Sequence, residues 1–294
     1  RKILDKALKD MDFASEDIRR LTPIQAYDIV MHSADAVISG GVRRSATICL
    51  FSPDDEEMAK AKTGSWFVEN PQRGRSNNSA ILLRDKTSKE DFSTLMRSVK
   101  EFGEPGFVWA DSTELIVNPC VEIGMWPVDE KTGESGWQAC NLSTINCAKI
   151  KTEDDFIQAC RAASIIGTLQ AGFADFSYLG KTSENIVKRE ALLGVSMTGI
   201  MEKHEICLNP EIQKRGAKVV RDENKRIAKI IGINQAARTT CIKPEGTSSC
   251  VLGTSSGIHP HHAKRYIRRV QANKLEPIYG YFSEINPRAC EESV

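Results

Sequence analysis

Ser143-Thr144-Ile145, then Thr152-Glu153-Asp154-Asp155, then an apolar stripe running from Phe156 to Phe176: this stretch decides the fold class. Thr144 and Ile145 are β-branched and suit an extended chain. Thr152, with an acidic residue three positions on, resembles a helix capping box. Phe156, Ala159, Ala163, Ile166, Leu169, Phe173 and Phe176 then recur at helical spacing, so they predict one long helix with this stripe facing a core. An extended segment followed by a capped helix is the unit from which α/β folds are built.

The same alternation continues in both directions. Thr22-Pro23 caps and opens a helix carrying Ile24, Tyr27, Val30 and Met31. Ser88 with Asp91 opens another, ahead of Phe92, Leu95, Met96 and Val99, and Asn209-Pro210 opens a third that Gly232 closes. Between them lie extended stretches at 46–51, 79–83, 107–110, 115–117 and 237–242. The pattern predicts an α/β fold with a substantially parallel sheet. No internal repeat or low-complexity linker interrupts it, so residues 1–294 are read as a single domain.

Composition narrows the function classes. Of 294 residues, 40% are apolar and 27% charged, enough for a sizeable core. The formal net charge of +1 gives no support for bulk binding to nucleic acid or to an anionic membrane. No apolar run reaches the roughly 18–20 residues of a membrane span, and a cytoplasmic protein is expected. The nine cysteines include no C-x-x-C pair, which excludes a zinc ribbon or thioredoxin-type motif within this segment. Most are expected to be small buried apolar residues. His259, His261 and His262 crowd one stretch, but no Cys or carboxylate stands at a fitting spacing; we read a polar loop and expect no metal.

The chemistry concentrates in Val117-Asn118-Pro119-Cys120-Val121-Glu122-Ile123. In an extended chain Asn118, Cys120 and Glu122 share one face, neighbours about 6–7 Å apart. That spacing suits one small substrate touched by an amide, a thiol and a carboxylate. Pro119 cannot donate to a ladder, which argues for an edge or a finger-like loop. A second stretch, Cys140-Asn141-Leu142-Ser143-Thr144-Ile145-Asn146, places another cysteine before a strand.

Together these stretches resemble the ribonucleotide reductase family. Further segments match in order: Ser39–Ala46, containing Gly40, Gly41, Val42, Arg43, Arg44 and Ser45; Ser76, Asn77 and Asn78; Leu192–Ile200; and Lys243-Pro244-Glu245-Gly246-Thr247-Ser248-Ser249. The resemblance spans roughly residues 39 to 269. It implies a ten-stranded α/β barrel with Cys120 on a central finger loop, here incomplete. It implies that Cys120 is the thiyl-radical residue that removes the 3′ hydrogen of the ribose. Glu122 would then take the 3′-hydroxyl proton, Asn118 would bind the sugar hydroxyls, and Cys140 would be one of two reducing cysteines. By the same resemblance Gly40–Ser45 form a specificity loop answering a nucleoside triphosphate effector, and Ser76–Asn78 lie near the substrate. Glu245–Ser249 would hold the phosphates of a ribonucleoside di- or triphosphate. Gly246 and the N–H and hydroxyl groups after it suit that task physically, with the Glu245 side chain expected to face away.

Ser256-Gly257-Ile258-His259, Tyr266-Ile267-Arg268-Arg269 and Ile165–Gln170 are most similar to the adenosylcobalamin (B12) class, in which the cofactor supplies the radical. A thioredoxin-like or other dithiol would be the reductant. The family's upstream redox cysteine and C-terminal cysteine pair have no match, so the chain is read as a fragment lacking the N-terminal part and the redox tail, completed by a partner segment or by self-association. Three alternatives stay open: a class I large subunit fed by a metal-containing radical partner, a non-catalytic nucleotide-binding fragment, and a hydrolase pairing Cys120 with His204 or His259.

Overall fold

The computed structural model describes residues 20–37, 45–257, 259–261, 263–267, 269, 270, 272 and 274–291. They fall into two compact units, one of the residues up to Thr113 with those from Tyr266 onward, the other of Glu114–Arg265. Gly40, Gly41, Val42, Arg43 and Arg44 of the expected specificity loop, and His262, lie outside the described residues; Ser45 is described and half-buried.

The first unit is a three-stranded parallel sheet in the order β1 (Thr47–Phe51), β2 (Ser76–Leu83), β3 (Gly106–Ala110). Helix α1 (Pro23–Asp35) precedes it, held by a capping box in which Thr22 and Gln25 exchange bonds. Helix α2 (Lys89–Phe102) crosses from β2 to β3, capped by Ser88 and Asp91 and closed by Gly103 in the left-handed conformation. Tyr27, Met31, Phe51, Met58, Ala80 and Leu82 form its core. Beside them Arg73 grips Asp28 through two bonds of 2.6 and 2.8 Å.

The second unit begins with an antiparallel hairpin, β4 (Ile116–Val117) and β5 (Gly124–Met125). Strand β6 (Asn141–Asn146) follows and leads into α3 (Glu153–Ala171), whose capping box joins Thr152 and Asp155. Helix α4 (Gly180–Glu190) returns the chain to β7 (Leu193–Thr198), which pairs in parallel with β6 from Asn141↔Leu193 to Asn146↔Thr198. Helix α5 (Pro210–Ile231) is capped by Asn209 and ended by Gly232.

One face of the β6–β7 sheet lies under α3 and α5. Ile145 and Val195 pack there with Phe156, Cys160, Ala163 and Val220. Gly216 on α5 makes the contact close: a Cβ there would stand 2.8 Å from the Phe156 ring and 3.0 Å from the Cys160 sulfur. Between the helices Ser164 donates to the Val220 carbonyl at 2.7 Å. Asn224 donates to Thr168 at 2.9 Å and accepts from the Ala236 N–H at 2.9 Å. These buried polar groups are satisfied, as a stable interior requires.

Two expectations need correction. The stripe on α3 faces the core only in its first half: Phe156 and Ala163 are buried and Ala159 packs beside them, whereas Ile166, Leu169 and Phe173 are exposed and the helix ends before Phe173 and Phe176. The buried face is Phe156, Cys160, Ala163, Ser164, Gly167, Thr168 and Ala171, because small residues let the helix approach both the sheet and α5. Residues 237–242 run beside β7 but form only one isolated bridge, Val195↔Thr240. The α/β class holds, while the described residues form seven strands in sheets of three, two and two, without a closed barrel.

Candidate active site

The segment around Cys120 is a turn, not an extended strand. Val117↔Gly124 is the last pair of the β4–β5 hairpin, and residues 118–123 form its loop. The Val121 N–H donates to the Asn118 carbonyl at 2.8 Å, and the Asn118 N–H donates to the Ile123 carbonyl at 3.3 Å. Pro119, with its fixed φ and no N–H, suits the first corner of this turn. Val121 then takes φ +66, a left-handed conformation that costs a β-branched residue of order 1–3 kcal/mol. The finger-like loop expected from Pro119 is present, but the shared extended face of Asn118, Cys120 and Glu122 is not.

The three side chains have separate surroundings. Cys120 is exposed at the tip. Asn118 turns inward, its Oδ1 accepting the Ile123 N–H at 3.0 Å. Glu122 is buried, with a side chain 3% exposed, and its Oε1 meets Lys243 Nζ at 3.0 Å. Its Oε2 is buried without a hydrogen-bond partner. An orphaned carboxylate oxygen inside a protein is costly, which makes Glu122 a candidate for a functional role.

The hairpin rests on the sheet face opposite the helices. Gly194 makes room: a Cβ there would stand 3.3 Å from Ile123 of the hairpin and 3.0 Å from the Cys241 sulfur, and would collide with Leu142. Cys241 bonds along β7, its N–H donating to the Val195 carbonyl at 3.1 Å. Two residues on, the Lys243 N–H donates to Ser196 Oγ at 3.0 Å. Burial, reinforced by the charge of Glu122, pushes the Cys140 thiol up to about 11, although Lys243 and Arg238 pull against it. Burial and then the neighbouring Cys140 and Glu122 push Cys241 up to about 12. Both thiols therefore stay protonated at neutral pH.

Glu245 leads into the short helix α6 (Gly246–Leu252) with φ +55. Its side chain engages both β6 and the Ser248 hydroxyl of its own segment. It is buried and accepts from Thr144 Oγ1 at 2.5 Å and from Ser248 Oγ. Ser249 is buried and donates to the Gly246 carbonyl at 3.1 Å. Gly246 and Thr247 are exposed, and the first N–H groups of a helix have no intrahelical partner.

Ser76 and Asn78 belong to the first unit, where they form a buried network with Tyr27. The Tyr27 hydroxyl lies 2.7 Å from Ser76 Oγ and donates to Asn78 Oδ1 at 3.1 Å. Asn78 Nδ2 is buried without a partner, and Asn77 is exposed. His259 and His261 are exposed, and among the described residues no group of three His, Cys, Asp or Glu side chains could hold a metal ion.

Fewer cysteines are buried than expected: Cys147, Cys160 and Cys207 are core residues, while Cys120 and Cys250 are exposed. Two site residues escaped the sequence reading, Cys241 and the Glu122 partner Lys243. Cys241 lay in the stretch expected to be extended, 237–242, and Lys243 just beyond it; nothing local marked either as part of the site.

The chain is 24% identical over 304 residues to an adenosylcobalamin-dependent ribonucleoside-triphosphate reductase of Lactobacillus leichmannii, covering 88% of this chain and 39% of that protein. It is 26% identical over 273 residues to a probable adenosylcobalamin-dependent ribonucleoside-triphosphate reductase of Dictyostelium discoideum, covering 84% of this chain and 33% of the relative. The structure of a B12-dependent class II ribonucleotide reductase matches with a TM-score of 0.60 at 22% identity, over 83% of this chain and 38% of that one. A class Id ribonucleotide reductase alpha subunit of Actinobacillus ureae matches with a TM-score of 0.59 at 14% identity, over 91% of this chain and 57% of that one. No family model matches. The chain thus spans well under half the length of the curated relatives it matches. In sequence it is a homologue of adenosylcobalamin-dependent ribonucleotide reductases, and it shares the fold of ribonucleotide reductase chains.

Proposed function

We propose that this chain is part of the catalytic core of a ribonucleotide reductase, which converts ribonucleotides to 2′-deoxyribonucleotides by a thiyl-radical mechanism with adenosylcobalamin as cofactor. The observation that carries this reading is the hairpin: an exposed thiol at its tip, and beneath it a buried carboxylate with one unpaired oxygen. The fold proposed to accompany it is a ten-stranded α/β barrel with the hairpin as its finger, the chain being read as one catalytic domain.

The residues present fit such a cofactor in one respect: the Cys120 thiol is open to an oxidant approaching from outside the chain. When bound, adenosylcobalamin supplies the radical that oxidises that thiol. The sulfur radical of Cys120 takes the 3′ hydrogen atom from the ribose. Glu122 Oε2 accepts the 3′-hydroxyl proton, and the Asn118 Nδ2 amide holds a sugar hydroxyl. The 2′-hydroxyl leaves as water after gaining a proton. Cys140 and a second thiol supply two electrons and two protons and become a disulfide, and Cys120 then returns its hydrogen atom to C3′. An external thioredoxin-like or small dithiol restores the pair. The exposed N–H groups of Gly246 and Thr247 are the parts of 245–249 best placed for substrate phosphate, and a nucleoside triphosphate effector acts through Gly40–Ser45.

The test is reduction of a cytidine nucleotide with dithiothreitol by the longest native chain containing this sequence. Product that depends on adenosylcobalamin supports the reading. Product only with a metal-containing radical subunit moves it to class I, and no product with either contradicts it.

A further inference from the structure

Lys243 stands at the centre of the site, yet neither the motif reading nor the likeness to known reductases gives its side chain a task. It is 19% exposed, and its Nζ lies 3.0 Å from Glu122 Oε1. Its backbone is pinned to β7 through Ser196. The charged and titratable groups that face it come from every element around the site: Cys120 and Glu122 from the hairpin, Glu245 from the start of α6, Cys140 from the entrance to β6, and Cys241 from its own segment.

We infer that Lys243 is the positioning residue of this site. By pairing with one oxygen of Glu122 it holds the carboxylate in place, so that only Oε2 is presented to substrate. This rests on the proposed reductase reading and extends it.

Burying a carboxylate without a cation favours its neutral form, which could not accept a proton. A single ammonium on Oε1 removes that penalty and leaves the second oxygen free. Burial by itself would draw Lys243 down. The bond and charge of Glu122, with Cys120 and Glu245, outweigh it and hold the amine above the ordinary lysine value. The cation is therefore present throughout neutral pH.

Two measurements test this. The first uses the present chain: reductive methylation followed by mass spectrometry, with exposed Lys149 as internal reference. Glu122→Gln should raise the rate at Lys243 severalfold relative to Lys149, because the amine loses the bond and charge that hold its proton. An unchanged rate overturns the inference, whatever the protein catalyses. The second uses the longest native chain. Lys243→Met should lower kcat with KM preserved and move the acid limb of the kcat/KM profile up by about one pH unit. Lys243→Arg should restore both. An unaltered profile, or a loss in KM alone, contradicts the positioning role. A wild-type protein without reductase activity defeats the functional reading instead, and the methylation result still decides whether the pair exists.

Discussion

The two faces of the β6–β7 sheet are built from alternate residues of the same strands and obey opposite rules. Ile145 and Val195 point toward α3 and α5, where apolar surfaces close and Ser164, Thr168 and Asn224 find partners. Leu142, Gly194 and Ser196 point the other way, toward a hairpin with an exposed thiol, a buried ion pair and an unpaired carboxylate oxygen. One face spends its side chains on stability. The other retains strain at Val121 and an unsatisfied group at Glu122, the pattern expected where structure is held ready for chemistry.

This contrast can be broken experimentally, since substitutions on the site face should change activity and those on the helix face should change stability. A large effect is expected for Glu122→Gln, which removes the proposed proton acceptor: kcat should fall roughly 10²- to 10⁴-fold, with some loss of Tm because Lys243 is left without its partner. Next, iodoacetamide at pH 9 should alkylate Cys120 and Cys250 well before Cys140 and Cys241, as read by mass spectrometry of timed samples. With Cys140 held at about 11 and Cys241 at about 12 by burial, only about a hundredth of Cys140 and less of Cys241 is thiolate at pH 9. Equal rates would show that the site face is not buried as described.

On the helix face, Asn224→Ala should lower unfolding stability by about 1–3 kcal/mol in urea titration, since it strands the Ala236 N–H. Gly216→Ala should cost about 1–3 kcal/mol by pushing on Phe156 and Cys160. The smallest change, about 1 kcal/mol, is expected for Thr152→Ala, which removes the cap of α3. None of these three should alter the pH profile of activity.

The capped helices were legible because capping is local: Thr22, Ser88, Thr152 and Asn209 each start a helix where their short-range patterns said. Strand β7 was less so. Its Gly194 and Ser196 are poor strand residues, chosen for what lies over them. The second half of the α3 stripe misled because bulk marks a core only when the neighbour stands at ordinary distance, and there Ser164, Gly167 and Thr168 bring the neighbour closer. At the site, the residue types around Cys120 were readable and their arrangement was not. A turn set by Pro119, and a cation 121 residues beyond Glu122, are tertiary facts.

The central claim is that Cys120 is the reacting thiol, and the direct measurement compares two exposed cysteines. Deoxynucleotide formation with adenosylcobalamin and dithiothreitol should be followed for wild type, Cys120→Ala and Cys250→Ala in the longest native chain. The account predicts that Cys120→Ala loses a thousandfold or more, on the order of what removing a covalently acting residue costs, while Cys250→Ala stays near wild type. Product formation by Cys120→Ala at the wild-type rate would contradict it.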